Sequence, residues 1–170
     1  MRRTILLTTS MSLAVLLACG VAVAATIDCE GGTCVGTRSN DTLFGTPRVD
    51  EMFGLGKGDL MYGYESADLM SGGAGGDRMY GGVGGDTVNG DAGNDAVYGG
   101  RGNDAVNGGD GDDLLVGDKG NDTISGDTGG DRIQAVDDQK DQINCAGGRD
   151  TVYFDRGLDE LRRCEDLHPR

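Results

Sequence analysis

The stretch that decides the fold is residues 72–134, which read GGAGGDRMY GGVGGDTVN GDAGNDAVY GGRGNDAVN GGDGDDLLV GDKGNDTIS GDTGGDRIQ. These seven nine-residue units follow one another without a gap. Each unit has Gly at position 1, Asp at position 6, and Met, Val, Leu or Ile at position 8. Glycine-rich composition alone would favour disorder, but strict order at a fixed period predicts a repeating, stacked structure.

The pattern continues on both sides of this stretch in weaker form. Units in 36–71 read GTRSNDTLF, GTPRVDEMF, GLGKGDLMY and GYESADLMS, which keep positions 1, 6 and 8 but lack the glycines at positions 2 and 4. After Gln134 the period slips by one residue, and VDDQKDQIN, CAGGRDTVY and FDRGLDELR keep only the Asp and the apolar residue. We therefore predict degenerate repeats over 36–71, regular repeats over 72–134, and degenerate repeats with a C-terminal cap over 135–170. We also predict an N-terminal cap with a local disulfide over 26–35.

The regular units match the pattern G-G-x-G-x-D-x-U-x, where U is a large apolar residue. The chain thus resembles the haemolysin-type calcium-binding (RTX) nonapeptide repeat family over most of its length after residue 25. The resemblance implies an all-β fold, a right-handed parallel β-roll (a β-solenoid) in which each unit forms half a coil. Position-8 side chains would then fill a narrow core as two ladders. One ladder is Met61, Met79, Val97, Leu115 and Ile133, and the other is Met52, Met70, Val88, Val106 and Ile124.

The aspartates at position 6 would stack in the same way along the two edges of the roll. One edge carries Asp77, Asp95, Asp113 and Asp131, and the other carries Asp86, Asp104 and Asp122. Like charges one strand spacing apart repel unless a cation lies between them. Calcium suits such an edge because it takes six to eight oxygen ligands from carboxylates and backbone carbonyls.

Glycine-rich turns expose the carbonyls that calcium would need, and left-handed backbone is easiest for glycine. The predicted carbonyl ligands lie around Gly72, Gly73, Gly75, Gly81, Gly82, Gly84, Gly90, Gly93, Gly99, Gly100, Gly102, Gly108, Gly109, Gly111, Gly117, Gly120, Gly126 and Gly129. Each site needs two turns stacked 18 residues apart, so the seven regular units predict about five calcium sites. The remaining repeat acids, which we interpret as turn acids rather than ligands, are Asp41, Asp50, Asp59 and Asp68.

The first 25 residues have the pattern of a secretory signal peptide. Arg2 and Arg3 precede an apolar run over 5–18, and small residues at 21–25 allow cleavage after Ala24 or Ala25. The apolar run is short for a membrane span. We therefore predict a secreted, extracellular protein. An alternative is a lipoprotein signal at 16–19, in which Cys19 would become a lipidated N-terminus.

Four further cysteines, Cys29, Cys34, Cys145 and Cys164, favour disulfides in an exported chain. Of the three pairings, we favour the two local ones, Cys29–Cys34 and Cys145–Cys164. The others would join opposite ends of a rod roughly 30 Å long, whereas bridged Cα atoms lie about 6 Å apart. A zinc site is the alternative, but it fits poorly because His168 is the single histidine.

Charge narrows the class of partner. The formal net charge is −14, so the chain repels nucleic acid and anionic lipid. We therefore predict no nucleic-acid partner and no membrane span. The predicted partners are calcium ions and an unknown extracellular or cell-surface partner.

Three tyrosines, Tyr62, Tyr80 and Tyr98, recur every 18 residues and should stack on one outer face of the roll, while Phe53 lies on the other face. This column is either a ladder that stabilises the sheet or a binding face for a sugar or partner.

No His-Glu-x-x-His or Gly-x-Ser-x-Gly motif occurs, so we predict a non-catalytic protein. The hypothesis is a secreted calcium-binding β-roll that folds on calcium binding and has a structural or binding role. The alternatives are a calcium-dependent adhesin or matrix component, an ice-binding β-roll suggested by Thr87-Val88-Asn89, and an enzyme fragment.

Overall fold

The structure is a computed structural model that describes residues 24–170. Within this range the regular elements are all strands, arranged in two parallel sheets. Sheet A consists, in order across the sheet, of β1 (Thr26–Asp28), β3 (Thr42–Phe44), β5 (Leu60–Glu65), β7 (Arg78–Val83), β9 (Ala96–Arg101), β11 (Leu114–Lys119), β13 (Arg132–Ala135), β15 (Thr151–Phe154) and β17 (Asp166–Pro169). Sheet B consists of β2 (Gly32–Val35), β4 (Asp50–Gly56), β6 (Leu69–Ala74), β8 (Thr87–Ala92), β10 (Ala105–Asp110), β12 (Thr123–Thr128), β14 (Gln142–Asn144) and β16 (Glu160–Arg162).

Successive strands alternate between the two sheets, so the chain winds as a β-solenoid of about eight turns. Strands stack directly on the strand one coil away. In sheet A Met79 pairs with Val97, and in sheet B Val88 pairs with Val106, each 18 residues apart. This register confirms the predicted parallel solenoid, because one unit forms half a coil and two units return the chain to the same sheet.

The core is one side chain wide on each sheet. All ten residues of the two predicted ladders are at most 1 % exposed, which confirms both ladders. Leu43 begins the sheet A ladder, Ile143 and Val152 continue the two ladders past the regular repeats, and Leu161 is partly buried. Alternation along each strand sends position 8 inward and positions 7 and 9 outward, as the period of a β-strand requires.

Glycine at position 4 is required by the stacking of one turn on the next. Gly102 has φ +139°, and a Cβ built there would overlap the carbonyl oxygen of Gly84, one coil earlier. Lys57 and Ser66 also occupy position 4 with left-handed φ values of 77° and 75°. The residues one coil earlier at this position, Ser39 and Arg48, are not left-handed. The Ser66 hydroxyl donates a hydrogen bond to the Pro47 carbonyl oxygen of that coil at 3.1 Å, so the carbonyl contacts the side chain without overlapping it. The requirement for glycine therefore begins one coil later.

The two predicted local disulfides lie near the two ends of the described chain. Cys29–Cys34 has a Cα–Cα distance of 5.4 Å and Cys145–Cys164 one of 5.1 Å, so the local pairing is confirmed. The one-residue slip appears in the register, because Ile124 pairs with Ile143, 19 residues on. A solenoid exposes strand edges at its two ends, and the capping of these edges by residues 26–35 and 135–170 stays a prediction.

Residues 1–23 lie outside the described part of the chain, and with them most of the predicted signal peptide and Cys19. Over residues 24–170 there is no helix of the length and apolar character needed to cross a membrane.

Candidate metal centre

The position-6 aspartates form a continuous ladder along each edge of the solenoid. Each uses its Oδ1 atom to accept the backbone N–H of the Asp one coil earlier, as in Asp95 Oδ1 from Asp77 N (2.7 Å) and Asp104 Oδ1 from Asp86 N (2.8 Å). All seven predicted ligand aspartates take part and are at most 3 % exposed. The structure therefore brings these aspartates together along two edges, as the period predicts.

The second carboxylate oxygen of these residues is buried and has no hydrogen-bond partner. This holds for Oδ2 of Asp59, Asp68, Asp77, Asp86, Asp95, Asp104, Asp113, Asp122, Asp131 and Asp141. A buried carboxylate oxygen without a partner is costly. The space beside it depends on the glycine at position 1, since a Cβ on Gly99 would lie only 2.7 Å from Asp104 Oδ2. Repeated buried carboxylate oxygens without a hydrogen-bond partner fit a bound cation.

Side chains alone do not complete a metal site in the described range. Over residues 24–170 no three or more His, Cys, Asp or Glu side chains converge on one point. Further ligands would have to come from the backbone, and calcium accepts carbonyl oxygens readily. The turns offer such oxygens, because the carbonyl of Gly84 is directed towards Gly102 in the next coil and the carbonyl of Gly93 towards Gly111.

Comparison with known families agrees with this arrangement of turns and acids. The model of the RTX calcium-binding nonapeptide repeat matches in four overlapping copies, at residues 44–79, 71–106, 80–115 and 98–133. Together they span 44–133, more than half of the chain. The chain belongs to the RTX calcium-binding nonapeptide repeat family. No match is found among curated proteins.

Burial makes the aspartates of the RTX repeats weaker acids than a solvent-exposed aspartate. Loss of solvent is the largest cause that raises the pKa of Asp95, Asp122 and Asp131 to about 7, and repulsion from neighbouring aspartates is a smaller part of the same rise. The same causes raise the pKa of Asp104 to about 6. Hydrogen bonds from the backbone N–H groups oppose these effects and do not cancel them. Within residues 24–170, no positively charged group is among the causes that act on the pKa values of Asp95, Asp122 and Asp131. A bound cation would therefore stabilise their ionised form near neutral pH.

These shifts predict that acid stabilises the RTX solenoid when calcium is absent. A carboxyl whose folded pKa lies above its ordinary value stabilises the fold below pH 4, and that contribution is lost as the pH rises through about 6 to 7. We expect calcium-stripped protein to show more β-structure at about pH 5 than at about pH 8, measured by far-UV circular dichroism. With saturating calcium the order should reverse, because protons compete with the ion. A calcium-free β-signal that rises with pH would contradict this account.

The structure divides the four early repeats differently from the sequence. At Asp59 and Asp68 the turns carry left-handed residues at positions 2 and 4 and leave Oδ2 unpartnered, as in the regular RTX units. At Asp41 and Asp50 threonine at position 2 contacts Oδ2 instead. Asp141, beyond the regular units, also has an unpartnered Oδ2. The sequence feature that separates the two pairs, and that our prediction did not use, is threonine at position 2. It occurs in the first two units only, as Thr37 and Thr46.

The tyrosine column lies on the outer face of sheet A of the RTX solenoid. Tyr62 and Tyr80 stack with ring centroids 5.1 Å apart, and Tyr80 and Tyr98 with centroids 4.8 Å apart, at interplanar angles of 10° or less. Phe44 extends the stack at the N-terminal side. Because neighbouring rings cover each other's faces, stacking between strands is sufficient to explain the column as a ladder that stabilises the sheet. Its use as a binding face stays a prediction.

Proposed function

We propose that this protein is a secreted, non-catalytic RTX β-roll that folds when it binds calcium and has a structural or binding role. The observation that carries the proposal is the set of ten buried Asp Oδ2 atoms without a partner, repeated along both edges. Bound calcium would supply positive charge between stacked carboxylates that otherwise repel. Binding free energy would then become folding free energy.

The proposed ligands are the seven aspartates from Asp77 to Asp131 with carbonyls of the glycine turns, forming about five sites. Each aspartate is joined to the coil before and the coil after it, as Asp104 is through Asp86 N and Asp122 Oδ1. An aspartate in the middle of the array would therefore belong to two sites. The affinity expected is that of extracellular calcium modules, with Kd of about 10⁻⁴–10⁻³ M.

Replacing one central aspartate should remove calcium without removing the coil. We expect Asp104→Asn to lower the calcium stoichiometry, measured by isothermal titration calorimetry, by about two relative to the unsubstituted chain. The control is Asp50→Asn, since Asp50 is equally buried in the same repeat position but has Thr46 on its Oδ2 atom. The control should retain the full stoichiometry. An unchanged stoichiometry in Asp104→Asn would sink the site assignment.

Location outside the cell is supported by two features. The disulfides Cys29–Cys34 and Cys145–Cys164 suit an oxidising compartment, and weak calcium sites would fill only where calcium is about millimolar. In this proposal segment 1–25 directs export, and the chain leaves the cell before calcium is available to fold it.

An adhesin or matrix role is the second candidate. Tyr64 is 48 % exposed and lies beside Tyr62 of the tyrosine column, with ring centroids 6.2 Å apart. Tyrosine is enriched in contact surfaces between proteins. Calcium-dependent binding of the folded rod to a polysaccharide or to cells would favour this role, and its absence would leave the structural one.

A further inference from the structure

We propose that residues 26–53 form a calcium-independent section of the solenoid, in which Thr37 and Thr46 supply the contacts that calcium supplies in later coils. The calcium-dependent coils, from Gly54 onward, then assemble on this section. The inference rests on the proposed calcium-dependent folding and says where along the rod that dependence begins.

The first observation is the hydrogen bonding of Asp41 and Asp50. Thr37 donates to Asp41 Oδ2 from both its backbone N–H (2.5 Å) and its hydroxyl (2.8 Å). Thr46 does the same to Asp50 Oδ2, at 2.6 and 2.9 Å. The Oδ1 atoms accept backbone N–H groups from Ala25 and Gly32. Each carboxylate therefore has three charge-assisted donors, whereas Oδ2 is without a partner in every repeat aspartate from Asp59 to Asp131.

The threonine hydroxyls are themselves held in place by the turn. The backbone N–H of Ser39 donates to Thr37 Oγ1 at 3.1 Å, and that of Arg48 donates to Thr46 Oγ1 at 3.2 Å. With its oxygen accepting from the backbone, each hydroxyl directs its hydrogen to an acceptor. For Thr46 the aspartate is the nearer acceptor, since Oγ1 lies 2.9 Å from Asp50 Oδ2 and 3.5 Å from the Arg48 carbonyl oxygen. These local turns satisfy the acid without any ion.

The second observation is the backbone of the two turns. In the later coils positions 2 and 4 are both left-handed, beginning with Leu55 (φ 81°) and Lys57 (φ 77°). Thr37 and Thr46, and the position-4 residues after them, do not have positive φ. Their carbonyls are therefore oriented differently from those of the glycine turns. The first two turns lack both the unpartnered oxygen and the left-handed backbone of the later ones.

Other contacts stabilise this section without metal. Cys29 and Cys34 are bonded and largely buried, and they pack in the same apolar cluster as Leu43 and Met52. Strand β1 pairs with β3, and β2 pairs with β4. A closed disulfide loop lowers the entropy of the unfolded chain. Such a section can present a formed edge to the next coil before calcium arrives, which reduces the cost of nucleation.

Hydrogen–deuterium exchange of the exported chain, Thr26–Arg170, read by mass spectrometry with and without calcium, tests the proposal. In chelator we expect amides of 42–44 and 50–53 to exchange at least about 10-fold more slowly than those of 78–128. Calcium should slow 78–128 by about 100-fold or more and 42–53 by less than about 10-fold. Equal, fast exchange of both regions in chelator would overturn the calcium-independent section. No effect of calcium on either region would instead overturn the proposed function.

Two variants separate the threonine contacts from general stability. Thr46→Val removes the hydroxyl at nearly constant shape and should speed exchange of β4 in chelator by at least about 5-fold. The matched control, Thr87→Val, changes an exposed residue of β8 and should leave β4 unaltered. The double variant Thr46→Gly/Arg48→Gly recreates the glycine turn and should make protection of β4 depend on calcium. Protection of β4 in chelator that survives in both Thr46 variants would refute the role of the hydroxyl.

Discussion

Removing calcium from the exported chain is expected to abolish most of its β-sheet circular dichroism, and returning calcium is expected to restore it in one cooperative transition. The proposed sites, about five in number, would each contribute about 2.7 kcal/mol at a free calcium concentration about 100 times Kd, and their sum would be comparable with the whole stability of a domain, about 5–15 kcal/mol. Without the ion the two carboxylate ladders lie buried and unneutralised. The folded solenoid beyond Gly54 should then be the minor state.

Magnesium at the same concentration is the control for this titration, with ionic strength held constant. It should not restore the signal, because it requires near-ideal octahedral geometry and gives up its water reluctantly. Sodium chloride at matched ionic strength separates specific binding from general screening of the acidic surface. A β-signal already complete in chelator would mean that the solenoid folds without metal, and the aspartate ladders would then need another explanation.

Replacing Gly102 with alanine is expected to cause one of the largest losses of stability among single substitutions in the turns. Gly102 has φ +139°, where alanine is strained, and its Cβ would overlap the Gly84 carbonyl oxygen. Strain and overlap act together, since the coil spacing is fixed by hydrogen bonds on both sides. We expect the free energy of unfolding in saturating calcium to fall by at least about 3 kcal/mol.

The matched control is Gly56→Ala. Gly56 lies in β4 without positive φ, and a Cβ there would have its nearest neighbour 3.7 Å away, at the Ala74 carbonyl oxygen. Alanine already occupies the equivalent place in the next two coils, at Ala74 and Ala92. Urea unfolding of both variants should show a change below about 1 kcal/mol for Gly56→Ala. Equal losses in the two variants would contradict the stacking argument.

The sequence alone could predict the coil, the core and the edges because all three depend on residues at a fixed period. Positions 1, 6 and 8 recur without exception from Gly36 to Gln134, so the register follows once each unit is taken as half a coil. The two disulfides followed from the same geometry, since the alternatives join distant coils. These properties are set by spacing, which a single sequence displays in full.

The sequence alone could not predict where the left-handed turns with an unpartnered aspartate oxygen begin along the chain. The loss of glycine at Leu55 and Lys57 suggested the same degeneracy as Thr37 and Ser39. In the structure the first pair keeps left-handed backbone and the second does not. The difference depends on which coil lies beneath and on whether a side chain at position 2 can donate to the aspartate, and both are properties of the stack rather than of one unit.

The alternation of units between two sheets restricts how such a rod can change in length during evolution. Tyr80 and Tyr98 share sheet A, and Asn89 and Asn107 share sheet B, because each pair is separated by two units. Gain or loss of two units would leave every later residue on its own face. Gain or loss of a single unit would transfer all later outward side chains to the opposite face and divide the tyrosine column. Duplication in multiples of 18 residues is therefore the change in length that preserves the surface.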